Sequence, residues 1–385
     1  PGTGAGTLSL EAGRILFGYA DGVTPSGRED RERLVLGFGT VNLTATDRIT
    51  ANGQGRVSVH QALGAVVGGV QQYSGGNLNL ITPLLTGEAG SINHLVAGNA
   101  LVLTTPADAA VSDNAALGAT LTLQGGTVTL GGKIGLASGK LDVQADGDIL
   151  LGDQARLDVA GREVLLVDQA KYSWGGDVHL ESTHGNVAQA AGSTIDLSAR
   201  FNQAGTLTVS AQDAAAGRIA LAGTVLGTAT GDYDAGGTMV PYAAGGIALT
   251  GQHIDDFSGL NQRLTAGGVT GSRSFRTMQG DLVIGNEIKA REVIVSADGG
   301  SLTVNGKIDA SGRQVGVIRL AARDNLTLAG TAVLDVHGTD LRVDSYGKII
   351  DAANRAIVDL TSGTDGTGTL TVLPQATIDL RAGTD

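Results

Sequence analysis

Apolar and polar residues alternate along most of this chain, in short units that begin with glycine. The unit Gly-x-apolar-x-apolar recurs as Gly39-Thr-Val-Asn-Leu43, Gly76-Asn-Leu-Asn-Leu80, Gly126-Thr-Val-Thr-Leu130 and Gly139-Lys-Leu-Asp-Val143. It returns as Gly176-Asp-Val-His-Leu180, Gly205-Thr-Leu-Thr-Val209, Gly300-Ser-Leu-Thr-Val304 and Gly368-Thr-Leu-Thr-Val372. A period of two puts both apolar residues on one face of a strand and the polar ones on the other. In Thr206–Val209, Leu207 and Val209 are expected inside, Thr206 and Thr208 outside. The leading glycine is read as the bend at a corner. Hairpin signals such as Asn52-Gly53 and Asn305-Gly306 are sparse. The pattern therefore predicts an all-β solenoid, each coil giving two or three strands, rather than a sandwich. Coils of ~20 residues predict ~19 rungs and a rod of roughly 90 Å at ~4.8 Å per rung.

A second repeat, apolar-Asp-apolar, carries Asp142, Asp158, Asp196, Asp309, Asp335, Asp359 and Asp379, and several copies run on into glycine. The last four are read as one outward stripe on successive rungs, either hydrated or bridged by a cation such as calcium. Three stretches break the rhythm. Residues 60–75 and 224–244 are rich in Gly and Ala, and 251–278 hold Ile254, Phe257, Leu260 and Leu264 at helical spacing. They are predicted to be loops or a short helix leaving one continuous shaft over residues 1–385. The mixed-charge run at 24–34 is expected to be a solvated loop.

Glycine makes up 61 of 385 residues, 42% are apolar and only 3% aromatic, so the interior is aliphatic and narrow. The net charge of −12 argues against nucleic acid as a partner, because phosphate contacts need clustered Lys and Arg. The absence of cysteine excludes disulfides, Cys-based zinc sites and thiol nucleophiles. The opening Pro1-Gly-Thr-Gly-Ala-Gly6 has no signal-peptide character, and the chain is read as an internal segment of a longer protein.

Chemistry is thin. His179, Glu181 and His184 form His-x-Glu-x-x-His, which lacks zincin spacing and is read as a solvated face, with no metal site expected. No catalytic or cofactor-binding residues are assigned. Tyr172 and Trp174 would share a face, where exposed rings could stack on a glycan; the plainer reading is a loop clamped onto the shaft. Asn42-Leu-Thr44 and Asn325-Leu-Thr327 match a glycosylation sequon.

The segments at 306–312 (Gly-Lys-Ile-Asp-Ala-Ser-Gly), 175–180, 193–199, 234–237 and 341–347 resemble filamentous-haemagglutinin-like exoproteins of Gram-negative bacteria. The resemblance implies a right-handed parallel β-helix with a few extra-helical loops, export by an outer-membrane two-partner-secretion transporter, and a secreted or outer-surface location. It implies a structural adhesin shaft rather than an enzyme. A surface receptor or glycan would be met partly through other regions, and copies could self-associate into filaments. The alternative is a carbohydrate-active β-helix enzyme, for which Asp255, Asp256 and Arg263 are the best acid–base candidates.

Overall fold

The computed structural model describes residues 4–19, 32–106, 109 and 113–383. Its backbone is a parallel β-helix whose coils run through three faces in turn. Face A stacks Val41/Leu43, Leu78/Leu80, Leu101/Leu103, Val128/Leu130 and Ile149/Leu151. Face B stacks Leu157, Ile195 and Val225, and further along Ile308, Leu334 and Ile378. Face C is the longest ladder: twelve strands, from Glu32–Leu36 to Ile357–Thr361, pair in parallel among the described residues.

The alternation sets the packing. In Thr206–Ala211, Leu207 and Val209 are buried while Thr206 and Thr208 are exposed, as the period of two requires. Each inward residue stacks on its counterpart one coil away, Val178 on Leu207 and Leu207 on Ile247. The interior is one continuous aliphatic column.

The expected coil length is too short. Leu121 pairs with Leu141, twenty residues on, but Leu141 pairs with Val178 and Leu207 with Ile247. The longer coils carry insertions at their corners, so the shaft has about a dozen rungs and a length of roughly 60 Å. A repeat counted by strand units cannot tell a new coil from a detour within one.

The insertions take definite forms. In 60–75, Ala62–Val67 and Val70–Ser74 form an antiparallel hairpin. In 224–244, Thr224–Leu226 remains a strand of face B, and Asp232–Asp234 pairs with Met239–Pro241 in a second hairpin. Glu163–Leu166 and Gln169–Tyr172 form a third, which the sequence pattern does not reveal. Within 251–278 a helix, α1 (Phe257–Ala266), buries Phe257, Leu260, Asn261 and Leu264, while Ile254 closes the preceding strand. The helix does not leave the spiral. It packs against Thr224–Leu226, in the place of one rung of face B, and Phe257 meets Phe275 edge to face at 4.9 Å. Residues 24–31 of the mixed-charge run lie outside the described residues; Glu32–Leu36, beyond them, is shaft strand rather than loop.

The glycine that opens several face C strands is needed for a reason other than bending. Gly139, Gly176 and Gly205 are absent from the positive-φ residues. A Cβ on Gly205 would overlap the carbonyl oxygen of Gly176, and one on Gly176 that of Gly139. Successive corners touch backbone to backbone. Gly205→Ala is expected to cost on the order of 2–3 kcal/mol through forced separation of the coils. Gly13→Ala, where a Cβ meets nothing within 4 Å, should stay within ~0.5 kcal/mol. Urea unfolding of both variants checks this, and equal losses would contradict close approach as the cause.

Candidate functional site

The corner between faces B and C carries the hairpins at Glu163–Tyr172 and Asp232–Pro241 and the long connection at 336–356, while the Ala62–Ser74 hairpin lies between faces C and A. Five aspartates end face B strands at the B–C corner. The Oδ1 atoms of Asp158, Asp196, Asp309, Asp335 and Asp379 each accept a hydrogen bond from the backbone N–H two residues on, at 2.9–3.3 Å. These are Asx turns that carry the chain out of the strand, and they explain why the aspartate is followed by a turn and, in several copies, by glycine. Asp309, Asp335 and Asp379 lie on adjacent rungs. Asp359 does not join them: it sits on face C opposite Arg319, with Arg319 Nε 3.1 Å from its carboxylate. The regular spacing of Asp359 with its neighbours is therefore accidental.

Asp335, His337 and Asp379 bring ligand atoms within 4.8 Å of one another. The cations beside them are the protein's own. Lys307 Nζ is 2.7 Å from Asp335 and Arg381 Nη2 is 2.6 Å from Asp379. Burial pushes the Asp335 carboxyl up, but hydrogen bonds from Lys307 and His337 outweigh it and leave the carboxyl below its usual range. The hydrogen bond from Arg381 holds Asp379 down at about 2. The like charges of the ladder are thus neutralised by interleaved side chains.

The remaining sequence candidates are placed as follows. His179 and Glu181 point outward from face C, and His179 Nδ1 lies 2.9 Å from Asp142 Oδ1 on the adjacent rung. His184 is paired separately, 2.7 Å from Asp146. Asp255 binds Arg218 at 2.5 Å. Asp256 caps α1, its Oδ1 accepting from Gly259 N, and Arg263 Nη1 sits 3.0 Å from its other oxygen. Arg263 also donates to the Leu221 carbonyl at 2.9 Å. The three candidates for acid–base work thus hold the helix in place. The sequon amides lie in rung-to-rung bonds: Asn42 accepts from Asn79 at 2.9 Å, and Asn325 accepts from Thr369 Oγ1 at 2.9 Å.

Tyr172 and Trp174 sit where the third hairpin returns to the shaft. Tyr172 packs on Phe201 with ring centroids 4.9 Å apart, and the Arg200 guanidinium lies 5.8 Å from both rings. Asn202 Nδ2 donates to the Tyr172 carbonyl at 2.8 Å, and Ser138 Oγ to the Trp174 carbonyl at 2.7 Å. The backbone is clamped to neighbouring coils, while the Trp174 ring is 55% exposed. The sequence reading missed Arg200 and Phe201, which arrive from the next coil.

The Asp142 hydrogen bond is the main cause that raises the His179 pKa above its ordinary value, against burial, which lowers it. The stability this supplies is fully present below pH ~6.5 and is lost as pH rises through the higher folded value. NMR titration of His179 is expected to give a midpoint above ~6.5 that falls in Asp142→Asn. A parent midpoint at or below that value would refute the pairing.

No helix among the described residues is long and apolar enough to cross a membrane. No protein-family model, curated protein or solved structure matches the chain.

Proposed function

We propose that the chain is a structural shaft of a large bacterial adhesin, secreted or held at the outer cell surface, and not an enzyme. One observation carries this reading: the face C ladder continues through every insertion, so each detour returns the chain to the same column. A fold selected for reach must keep this continuity, whereas a catalytic fold needs only a local platform. The side chains best suited to acid–base chemistry, Asp255, Asp256 and Arg263, are engaged in holding α1. The absence of cysteine suits an exported chain. Adhesion itself, and passage through an outer-membrane transporter, rest on the sequence resemblance.

Two measurements test the proposal. Inserted between an anchored base and a fluorescent tip, the chain should lift the tip by roughly 60 Å; a collapsed spacing would overturn it. Incubated with a panel of acidic polysaccharides, the purified chain should release no new chain ends. Turnover abolished by Asp255→Asn or Asp256→Asn would establish the carbohydrate-active reading instead.

A further inference from the structure

Two insertions that are far apart in sequence, the Asp232–Pro241 hairpin and the connection at 336–356, are locked together over the B–C corner. Thr238, in the hairpin turn, accepts from Val343 N at 2.8 Å and donates to Val343 O at 3.0 Å. Arg313, one coil edge away, reaches Asp232 at 2.7 Å, Asp340 at 2.8 Å and the Met239 carbonyl at 3.0 Å. Gly237 lies so close to Asp344 that a Cβ would overlap its carbonyl. A shaft needs none of these contacts. Between them and the shaft wall they enclose a cleft of about 980 Å³.

The chemistry of the cleft is unlike that of the rest of the chain. Four cations, Lys289, Arg291, Arg313 and Arg342, line it against two carboxylates, Glu292 and Asp309, in a chain of net charge −12. Glu292 is paired outside the lining, with Arg319 at 3.3 Å, and Asp309 is shared by Lys307 at 3.6 Å and the lining's own Lys289 at 3.8 Å. Arg313 is held by Asp232 and Asp340, which leaves Arg291 and Arg342 as the lining cations without a carboxylate among the described residues. Arg291 is exposed and forms no ion pair among the described residues. Two buried donors in the lining, Gln314 Nε2 and Arg342 Nε, have no acceptor, and Gln314 is only 5% exposed. Tyr233 and Tyr242 stand side by side in the wall, ring centroids 5.3 Å apart.

We propose that this cleft binds a short run of an acidic polysaccharide, of the uronate class. The flat apolar faces of sugar rings bury against Tyr233 and Tyr242. A uronate carboxylate takes the planar fork of Arg291. The cleft is an attachment point on the side of the shaft, separate from Tyr172 and Trp174, and the inference stands whether or not the shaft reading holds.

Titration calorimetry with tetragalacturonate, and with the uncharged galactose tetramer of the same linkage, tests it. The acidic tetramer is expected to bind at least about tenfold more tightly than the neutral one, and less tightly as salt is raised. Arg291→Ala and Arg291→Gln should each weaken binding by about tenfold. Tyr233→Ala should weaken it by about fivefold, with the unfolding temperature unchanged. Arg200→Ala, on the other ring cluster, should bind as the parent does. The proposal is overturned if the acidic tetramer does not bind, if the neutral tetramer binds equally, or if the cleft variants bind like the parent. Equal affinity for a pentaglutamate peptide would overturn it in favour of an acidic-peptide site.

Discussion

Val209→Asp is expected to destabilise the chain by at least ~4 kcal/mol, while Thr208→Asp, one residue away, costs under ~1 kcal/mol. Val209 is 1% exposed and stacks between Leu180 and Leu249 on the neighbouring coils. A carboxylate there has Val178, Leu180, Leu207, Ile247 and Leu249 at inward positions of its own and the adjacent rungs, so it is either protonated or forces water between two rungs. Thr208 projects from the opposite side of the same strand, beside His179 and Ala248. A carboxylate at that position stays hydrated. Denaturant unfolding of the two variants, followed by the far-ultraviolet signal, separates them. Because a solenoid's stability is built from neighbouring coils, the Val209→Asp chain should also lose protection from hydrogen exchange first at Asp177–Ser182, Thr206–Ala211 and Gly246–Gly251. Equal losses in the two variants would show that the faces are reversed.

The second large effect lies at Arg273, a charged residue in the interior position that Ile247 and Val293 occupy on adjacent rungs. Its side chain is fully buried. The guanidinium donates to the carbonyls of Val269 and Asn261, to Asn261 Oδ1 and to Thr265 Oγ1, at 2.9–3.1 Å. Burial lowers its pKa to about 10, so it stays charged at neutral pH. These acceptors come with α1: Asn261 and Thr265 lie on the helix, and Val269 follows just beyond its end. Asn261→Leu removes one acceptor from a buried cation and should cost about 3 kcal/mol. In Asn261→Leu with Arg273→Leu, the charge is gone too, and the double variant should be more stable than Asn261→Leu alone. If the two losses simply add, the pair is not coupled.

The period-two alternation was enough to place the inward and outward residues, because each coil meets the same aliphatic column and side-chain direction follows from strand geometry alone. Leu207, Val209 and the stacked pairs before them follow directly from it. The helical spacing of Phe257, Leu260 and Leu264 was equally local and equally legible. The aspartate pattern was visible too, but its meaning was not. Asp335 and Asp359 look alike in sequence, and only the register puts one at a face B turn and the other on face C beside Arg319. The number of rungs also depended on register, since nothing local tells a detour of fifteen or twenty residues from a new coil. The cleft was beyond the sequence altogether. Thr238 and Val343 stand 105 residues apart, and they meet because two coils detour at the same corner. A strand's faces are fixed by local sterics of the chain, but a site between insertions is fixed by how many residues each coil spends before it returns to the column.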